Sequence, residues 1–179
     1  MPQRFTARAL TPVLALIATL STASAAETDI TIGMQLEPPH LDPTSAAAGA
    51  IDNVVYSNIF EGLTRFMGDG SVVPGLAKSW DISDDGLSYT FHLQGDVRFH
   101  DGSAMDAADV KFSLDRARAE DSTNAQKALF TGIADVAVID PLTVVLTLEA
   151  PNGNLLFNLA WGDAVIVASD TIETSKSNP

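Results

Sequence analysis

The stretch VVPGLAKSWDISDDGLSYTFHL, residues 72–93, decides the fold of this chain. Residues Ser88 to Leu93 alternate polar and large apolar side chains, which is the period of a half-buried β-strand. Asp85-Gly86 separates them from a second β segment, Ser79 to Ser83. Asp-Gly between two such segments favours a hairpin, because glycine tolerates the positive φ of the turn. The stretch therefore predicts two antiparallel strands.

The sequence on both sides extends this pattern into an antiparallel meander with short turns. Further β segments are predicted at Thr64–Met67, Val72–Pro74, Val97–His100, Ala134–Ile139 and Val144–Leu148. Asp140-Pro141 begins the turn of the last pair. Near the start of the chain, Asp29 to Gln35 also alternates and predicts a first strand.

Helices are predicted between these β segments. Asp106 and Asp109 fit the N-cap and the first turn of a helix, where carboxylates are favourable. Apolar residues at spacings of three and four predict an earlier helix that begins near Ile51 and stops at Gly62. A short helix is expected over Asn154–Leu159. The aromatic side chains of the central block are expected in the core between sheet and helix: Trp80, Tyr89, Phe91, Phe99 and Phe112.

Composition excludes several functions. The 179 residues carry 10 Lys and Arg against 23 Asp and Glu, a net charge of −13. Such an acidic chain is repelled by nucleic-acid phosphates and by anionic membrane surfaces. The absence of cysteine rules out disulfides, thiolate metal sites and cysteine nucleophiles. The three histidines are too far apart for a standard metal motif, so no metal or other cofactor is predicted.

Residues 1–25 have the features of a cleavable secretory signal peptide. Arg4 and Arg8 precede a short apolar run, Ala9 to Leu20, and Ala23-Ser24-Ala25 supplies a small-x-small cleavage site. The run is too short for a permanent membrane-spanning helix. The sequence therefore predicts a periplasmic protein, cleaved near Ala25, with no membrane insertion after cleavage.

The order of motifs resembles one family. The motifs are LDP (41–43), YSNIFEGL (56–63), the opening stretch (72–93), VRFHDGSAMDAADVKFSLDRA (97–117) and DPLTVVLTL (140–148). Together they resemble the extracellular solute-binding proteins of family 5, the periplasmic receptors of peptide, nickel and opine ABC importers. The resemblance implies a non-enzymatic receptor that captures a peptide-like solute and delivers it to the permease subunits in the inner membrane.

The resemblance also implies an α/β fold of two lobes that close like a clamshell, the type II periplasmic-binding-protein fold. Family members are much longer, so the chain is expected to be the N-terminal part of such a receptor. Residues 26–57 would supply the first strand and helix of lobe I, and residues 58–163 a β-rich subdomain inserted into it. Residues 164–179 would return toward lobe I.

Ligand contacts are expected in two segments. By position in the family, the first is the loop before the first helix, where small residues let a ligand approach the backbone: Ser45, Ala46, Ala47, Ala48, Gly49 and Ile51. The second is Trp161-Gly162, because a Trp beside a Gly in a cleft wall can stack on a ligand. For the loop the alternative is an ordinary helix start, and for Trp161 it is a core position.

Two other functions stay open. A secreted hydrolase would need a nucleophile with a base or paired carboxylates, and the G-x-S-x-G motif is absent. The β-rich block could also act as a stand-alone interaction module.

Overall fold

The computed structural model describes residues 29–45 and 48–169. The chain divides into two compact units, residues 1–34 and 35–179. Within the first unit, residues 29–34 form no regular element, and Ile30 and Ile32 are 86% and 80% exposed. The predicted strand over Asp29–Gln35 is therefore wrong. Alternation alone does not make a strand, because the backbone groups also need a partner strand.

The second unit is built on antiparallel sheets. Its strands are β1 (Thr64–Phe66), β2 (Val72–Pro74), β3 (Ala77–Ile82), β4 (Ser88–Leu93), β5 (Ile133–Asp140) and β6 (Thr143–Leu148). Strands β1 and β2 pair with each other, and the other four form a sheet of order β3-β4-β6-β5. In this sheet Phe91 lies opposite Trp80 on one side and Val144 on the other. Three hairpins are thus confirmed, whereas the predicted meander is wrong, because β6 lies between β4 and β5.

The predicted strand at Val97–His100 is wrong. These residues enter a tight turn that is closed by a single bridge between Arg98 and Ala104. Phe99 N–H donates to the Ser103 carbonyl at 2.9 Å. The sequence pattern of a strand is present here, but the chain reverses direction at Gly102, where φ is 91°. The reversal comes before these residues can pair with another strand.

The helices are α1 (Gly49–Val55), α2 (Ala107–Arg118) and α3 (Leu155–Asn158), with 3₁₀ turns at Lys127–Leu129 and Gly162–Ala164. Helix α2 begins as predicted, with a reciprocal capping box between Asp106 and Asp109. Helix α1 does not reach Gly62 as predicted, because Ser57 adopts a positive φ of 56° and breaks the helical path.

One hydrophobic core holds the second unit together. It lies between α2 and the face of the sheet that carries Tyr89, Phe91 and Leu93. Among the predicted core aromatics, Tyr89 and Phe91 are buried, and Trp80 and Phe99 pack at the margin. The prediction is wrong for Phe112, which is half-buried and lies outside this core. The face of α2 that packs on the sheet consists of other residues: Ala107, Val110, Leu114 and Ala117.

The Asp-Gly sequences make turns, as predicted. The carboxylates of Asp69, Asp85 and Asp101 each accept a hydrogen bond from the backbone N–H two residues ahead and another from a serine hydroxyl. These hydrogen bonds lower the pKa of each carboxyl. The role of these three aspartates is therefore to stabilise turns as hydrogen-bond acceptors.

The segment after α3 returns through the interior. Residues Ala164, Val165, Ile166 and Ala168 are buried. The Val167 N–H donates to Ser113 Oγ at 2.9 Å, and the Ser169 N–H donates to Asp109 Oδ1 at 2.8 Å, so α2 fixes this segment. In the part of the chain that the structure describes, no helix has the length and apolar character needed to cross a membrane.

Candidate functional site

A hydrogen-bonded turn leads into the first predicted ligand loop. Asp42 Oδ1 accepts hydrogen bonds from the Thr44 N–H (2.8 Å) and hydroxyl (2.7 Å). Ser45 Oγ lies 3.5 Å from His40 Nε2. The Ala125 N–H donates to the Thr44 carbonyl at 3.1 Å and joins the turn to the loop that follows α2. The turn therefore fixes the position of Ser45.

The loop continues into α1. The predicted ligand residues Ala46 and Ala47 lie outside the described residues. Ala48 is the N-cap residue but offers no side-chain cap, and Gly49 is exposed. Ile51 is fully buried, so its side chain anchors α1 in the interior rather than facing solvent.

The structure brings the second predicted segment against α1. Gly162 lies directly against the Asp52 carboxylate, and a Cβ at position 162 would overlap Asp52 Oδ1 and approach its Cγ to 3.1 Å. Only glycine allows this close approach without displacing the carboxylate. The sequence separates these two residues widely, and the fold places them in contact.

Trp161 belongs to a half-exposed aromatic cluster, which consists of Tyr56, Phe66, Phe157 and Trp161. The Trp161 ring centroid lies 6.2 Å from that of Phe66 and 6.1 Å from that of Phe157, the latter pair edge to face. Trp161 remains 36% exposed. It is therefore neither a buried core residue nor a free surface side chain, since one part packs and another part faces water.

A groove of about 340 Å³ begins at this cluster. Its apolar wall is formed by Leu129, Phe157 and Trp161. Carboxamides complete the lining: Gln126, Asn154 and Asn158. An aromatic wall with amide donors and acceptors suits a polar, uncharged part of a small solute.

Three acidic residues lie near the Asp52–Gly162 contact. Asp42 and Asp163 are each 5% exposed, and Asp52 is half-buried. Burial raises the pKa of Asp52. Burial, with the neighbouring charges of Asp52 and Asp42, raises the pKa of Asp163 to about 6. We call Asp42, Asp52 and Asp163 the acidic cluster.

Sequence reasoning missed this cluster as a unit. Asp42 was visible as a turn residue, and Asp163 only as the neighbour of Trp161-Gly162. One signal was available for Asp163, since it is an isolated charge just before the apolar run 164–168. Asp52 gave no such signal, because its surroundings come from a distant segment.

A second cavity, of about 310 Å³, is mainly apolar and lies away from both predicted segments. Its apolar lining includes Phe60, Leu76, Phe99, Met105 and Ile166. Within residues 29–45 and 48–169, no three His, Cys, Asp or Glu side chains are grouped so as to hold a metal ion. The acidic cluster is therefore not arranged like a metal site.

Fold and sequence together define an extracellular solute-binding protein. The family model described as bacterial extracellular solute-binding proteins, family 5 Middle, matches residues 71–179, and the chain belongs to this family. The resemblance drawn from the motifs is thus confirmed.

Individual relatives support the same assignment. The chain is 41% identical over 128 residues to the glutathione-binding protein GsiB of Pectobacterium atrosepticum, a match that covers 72% of this chain and 25% of GsiB. The periplasmic binding protein AgaA of A. tumefaciens R10, solved with agropinic acid, superimposes with a TM-score of 0.74 at 32% identity, over 80% of this chain and 29% of AgaA.

A third relative is DppA of Helicobacter pylori, an ABC transporter-associated periplasmic binding protein solved with the peptide STSA. It superimposes with a TM-score of 0.69 at 27% identity, over 79% of this chain and 32% of DppA. The chain therefore spans about a quarter to a third of the length of these relatives. The predicted α/β periplasmic-binding-protein fold, present in part, is confirmed.

Proposed function

We propose that this chain is part of the substrate-binding component of an ABC importer, which captures a peptide-like small solute and delivers it to the permease. One observation supports the proposal: in a family 5 chain, Gly162 of the second predicted ligand segment lies against Asp52, the residue that directly follows the first segment. The names of its relatives, which refer to glutathione, a peptide and agropinic acid, favour a small solute with amide and charged groups.

The remaining details belong to the same proposal. The protein acts in the periplasm after cleavage near Ala25, it contacts permease subunits in the inner membrane, and it has no enzymatic role. Residues 26–57 and 164–179 contribute to one lobe of a clamshell, and residues 58–163 form the subdomain inserted into it. The division at residue 58 is supported by the end of α1 and the start of the sheets just beyond it.

The predicted contacts keep distinct roles in this proposal. The solute contacts the backbone of the first predicted segment, which consists of Ser45, Ala46, Ala47, Ala48 and Gly49. Gly162 allows the second segment to lie close to α1. Trp161 offers the exposed part of its side chain. Ile51 acts by holding α1 in place, because its side chain is fully buried.

The two tryptophans of the chain allow a direct test. Trp80 lies on β3 and Trp161 beside the groove, so a Trp80→Phe variant reports on Trp161 alone and a Trp161→Phe variant on Trp80 alone. We expect a tripeptide such as trialanine to change the fluorescence of the Trp80→Phe variant in a saturable way. The Trp161→Phe variant is the matched control and should not respond.

Equal responses from both variants would place binding elsewhere. The absence of any response to trialanine, glutathione or dipeptides at millimolar concentration would overturn the proposal for this chain.

A further inference from the structure

We propose that three side chains of α2 close the free edge of β5 and so prevent the chain from pairing with a second copy of itself. They are Lys111, Asp115 and Arg118, and we call them the edge clamp. Strand β5 lies at one end of the four-stranded sheet, with β6 on one side and no strand on the other. An open strand edge is a template for pairing with another chain. The inference concerns assembly and does not depend on the proposed function.

The hydrogen bonds of β6 show which backbone groups of β5 point to the open edge. The Leu148 N–H donates to the Leu87 carbonyl, just before β4, at 2.8 Å. Because backbone groups point alternately to the two sides of a strand, the odd-numbered residues of β6 point theirs toward β5. Over residues 135–138, odd-numbered residues of β5 lie opposite odd-numbered residues of β6. The N–H and carbonyl groups of Val136 and Val138 therefore point away from β6.

The edge clamp occupies carbonyls along this edge. Lys111 Nζ donates to the Val136 carbonyl at 2.9 Å. Arg118 Nη1 donates to the Ile133 carbonyl at 3.0 Å and to the Ala134 carbonyl at 3.1 Å, where the register of β5 shifts. Neighbouring strands lie only about 4.8 Å apart, so these side chains stand where the backbone of an incoming strand would have to lie.

Asp115 anchors both cations. Its Oδ2 lies 2.8 Å from Lys111 Nζ, and its Oδ1 accepts from Arg118 Nε at 3.0 Å and from Arg118 Nη2 at 2.7 Å. Partial burial raises the pKa of Asp115, but the hydrogen bonds and charges of Lys111 and Arg118 outweigh burial and bring the pKa below its ordinary value. The three residues follow at spacings of four and three, so they share one face of α2.

The sequence of β5 does not protect its own edge. Ile133–Asp140 contains no lysine and no proline, the residues that most often discourage edge pairing. Ile139 is 62% exposed. An antiparallel pair of two β5 strands centred on Val136 would place Asp135 of one copy opposite Ala137 of the other, so no like charges would meet. Without the clamp, the edge favours pairing with a second copy.

The opposite edge of the sheet, β3, is protected in another way. Lys78 is exposed on this strand, and the register with β4 shifts between Ala77 and Ser79. An edge lysine and a bulge both oppose strand pairing. The edge that depends on α2 for its protection is therefore β5.

A Lys111→Met/Arg118→Met variant of the whole chain tests the clamp, because methionine removes the N–H donors and keeps part of the side-chain length. In sedimentation velocity, the parent chain should stay monomeric, and the weight-average mass of the variant should double as its concentration rises. Amide hydrogen exchange locates the contact. The Val136 and Val138 N–H groups should exchange about tenfold more slowly, or slower still, in the variant than in the parent.

Arg98→Met/Lys127→Met is the matched control. In the parent, Arg98 donates to the Gly102 carbonyl at 2.8 Å and Lys127 donates to the Glu120 carbonyl at 2.6 Å, both outside β5. The control therefore loses the same two charges and also loses bonds to backbone carbonyls. Each double variant is more acidic than the parent, so charge repulsion alone opposes association. The control should stay monomeric.

A folded Lys111→Met/Arg118→Met variant that stays monomeric would overturn the proposal. Equal association of both double variants would do the same, as would slowed exchange along β3 instead of β5. If circular dichroism shows the variant unfolded, Lys111→Met alone decides, because that side chain is 41% exposed and Arg118 keeps its pair with Asp115. Slower exchange of the Val136 N–H with self-association is expected there, and unchanged exchange would overturn the proposal.

Discussion

At the residue scale, Asp163 is where burial and charge conflict most strongly. It is 5% exposed, has two acidic neighbours, and has a pKa raised from 3.8 to about 6. The folded chain therefore binds a proton that the unfolded chain releases between about pH 4 and pH 6. The contribution of this group to stability is greatest below about pH 4 and is lost as the pH rises through 6.

An Asp163→Asn variant should therefore be more stable than the parent chain at pH 7.5. After allowance for screening by solvent, we expect a difference on the order of 1–2 kcal/mol that vanishes near pH 4. Urea unfolding at several pH values measures it. A variant that is less stable by the same amount at every pH would contradict this account of Asp163.

Gly162 is the second residue whose identity the fold constrains. A methyl group there would overlap Asp52 Oδ1, the end of a half-buried side chain that can rotate away, so Gly162→Ala should destabilise the chain by about 1 kcal/mol or less. Gly132→Ala is the matched control, because a Cβ at position 132 meets nothing within 4 Å. The carboxyl chemical shift of Asp52 should change in Gly162→Ala and not in Gly132→Ala, and no change in either variant would contradict the close approach of Gly162 to α1.

At the element scale, the capping box of α2 also anchors the returning segment. Asp106 Oδ1 accepts from the Ala108 N–H at 2.7 Å, which is a local cap. Asp109 Oδ2 accepts from the Asp106 N–H at 2.9 Å, and its Oδ1 accepts from the Ser169 N–H at 2.8 Å. Asp109 therefore joins two elements, whereas Asp106 stabilises one.

We expect Asp106→Ala to lower the free energy of unfolding by about 1 kcal/mol, the usual value of an N-cap. Asp109→Ala should cost more, about 2–4 kcal/mol, because two N–H groups lose a charged acceptor. Amide hydrogen exchange at Ser169 should accelerate in the second variant only. Equal destabilisation with unchanged exchange would show that Asp109 does not hold the returning segment.

Elements with local signals were predictable, and those that depend on distant partners were not. The hairpin around Gly86 and the start of α2 at Asp106 follow from turn and capping chemistry within a few residues. The end of α1 at Val55 depends on the positive φ of Ser57, which no local motif indicated. The acidic cluster could not be predicted from spacing either, because Asp52 and Asp163 meet only in the folded chain.

At the scale of the whole molecule, a single core predicts cooperative unfolding. Phe91, Phe130 and Leu146 are fully buried and belong to one hydrophobic cluster that α2 and the four-stranded sheet share. We expect residues 26–179 to show one sharp thermal transition by circular dichroism. A broad transition with binding of an apolar-surface dye to the unheated protein would show that this core is incomplete.

Phe91→Ala should lower the stability of this whole unit by about 3–5 kcal/mol, because it removes a fully buried ring at the centre of the sheet. Phe157→Ala is a useful comparison, since Phe157 is 38% exposed and lies at the groove. It should cost less stability but reduce the response of Trp161 to trialanine. Chemical unfolding of both variants measures the loss of stability, and fluorescence titration measures the loss of the Trp161 response. Together they distinguish a core residue from a residue of the binding surface.

In the proposed function, the solute binds where α1 meets the segment 161–163. Amide NMR of the isotopically labelled chain during titration with trialanine tests it most directly, because it detects millimolar binding and locates it. Binding at this place should concentrate the shifts in residues 48–52 and 161–163 and leave the β5–β6 hairpin unchanged. Shifts confined to the apolar cavity around Phe99 and Met105, or no shifts at all, would contradict it.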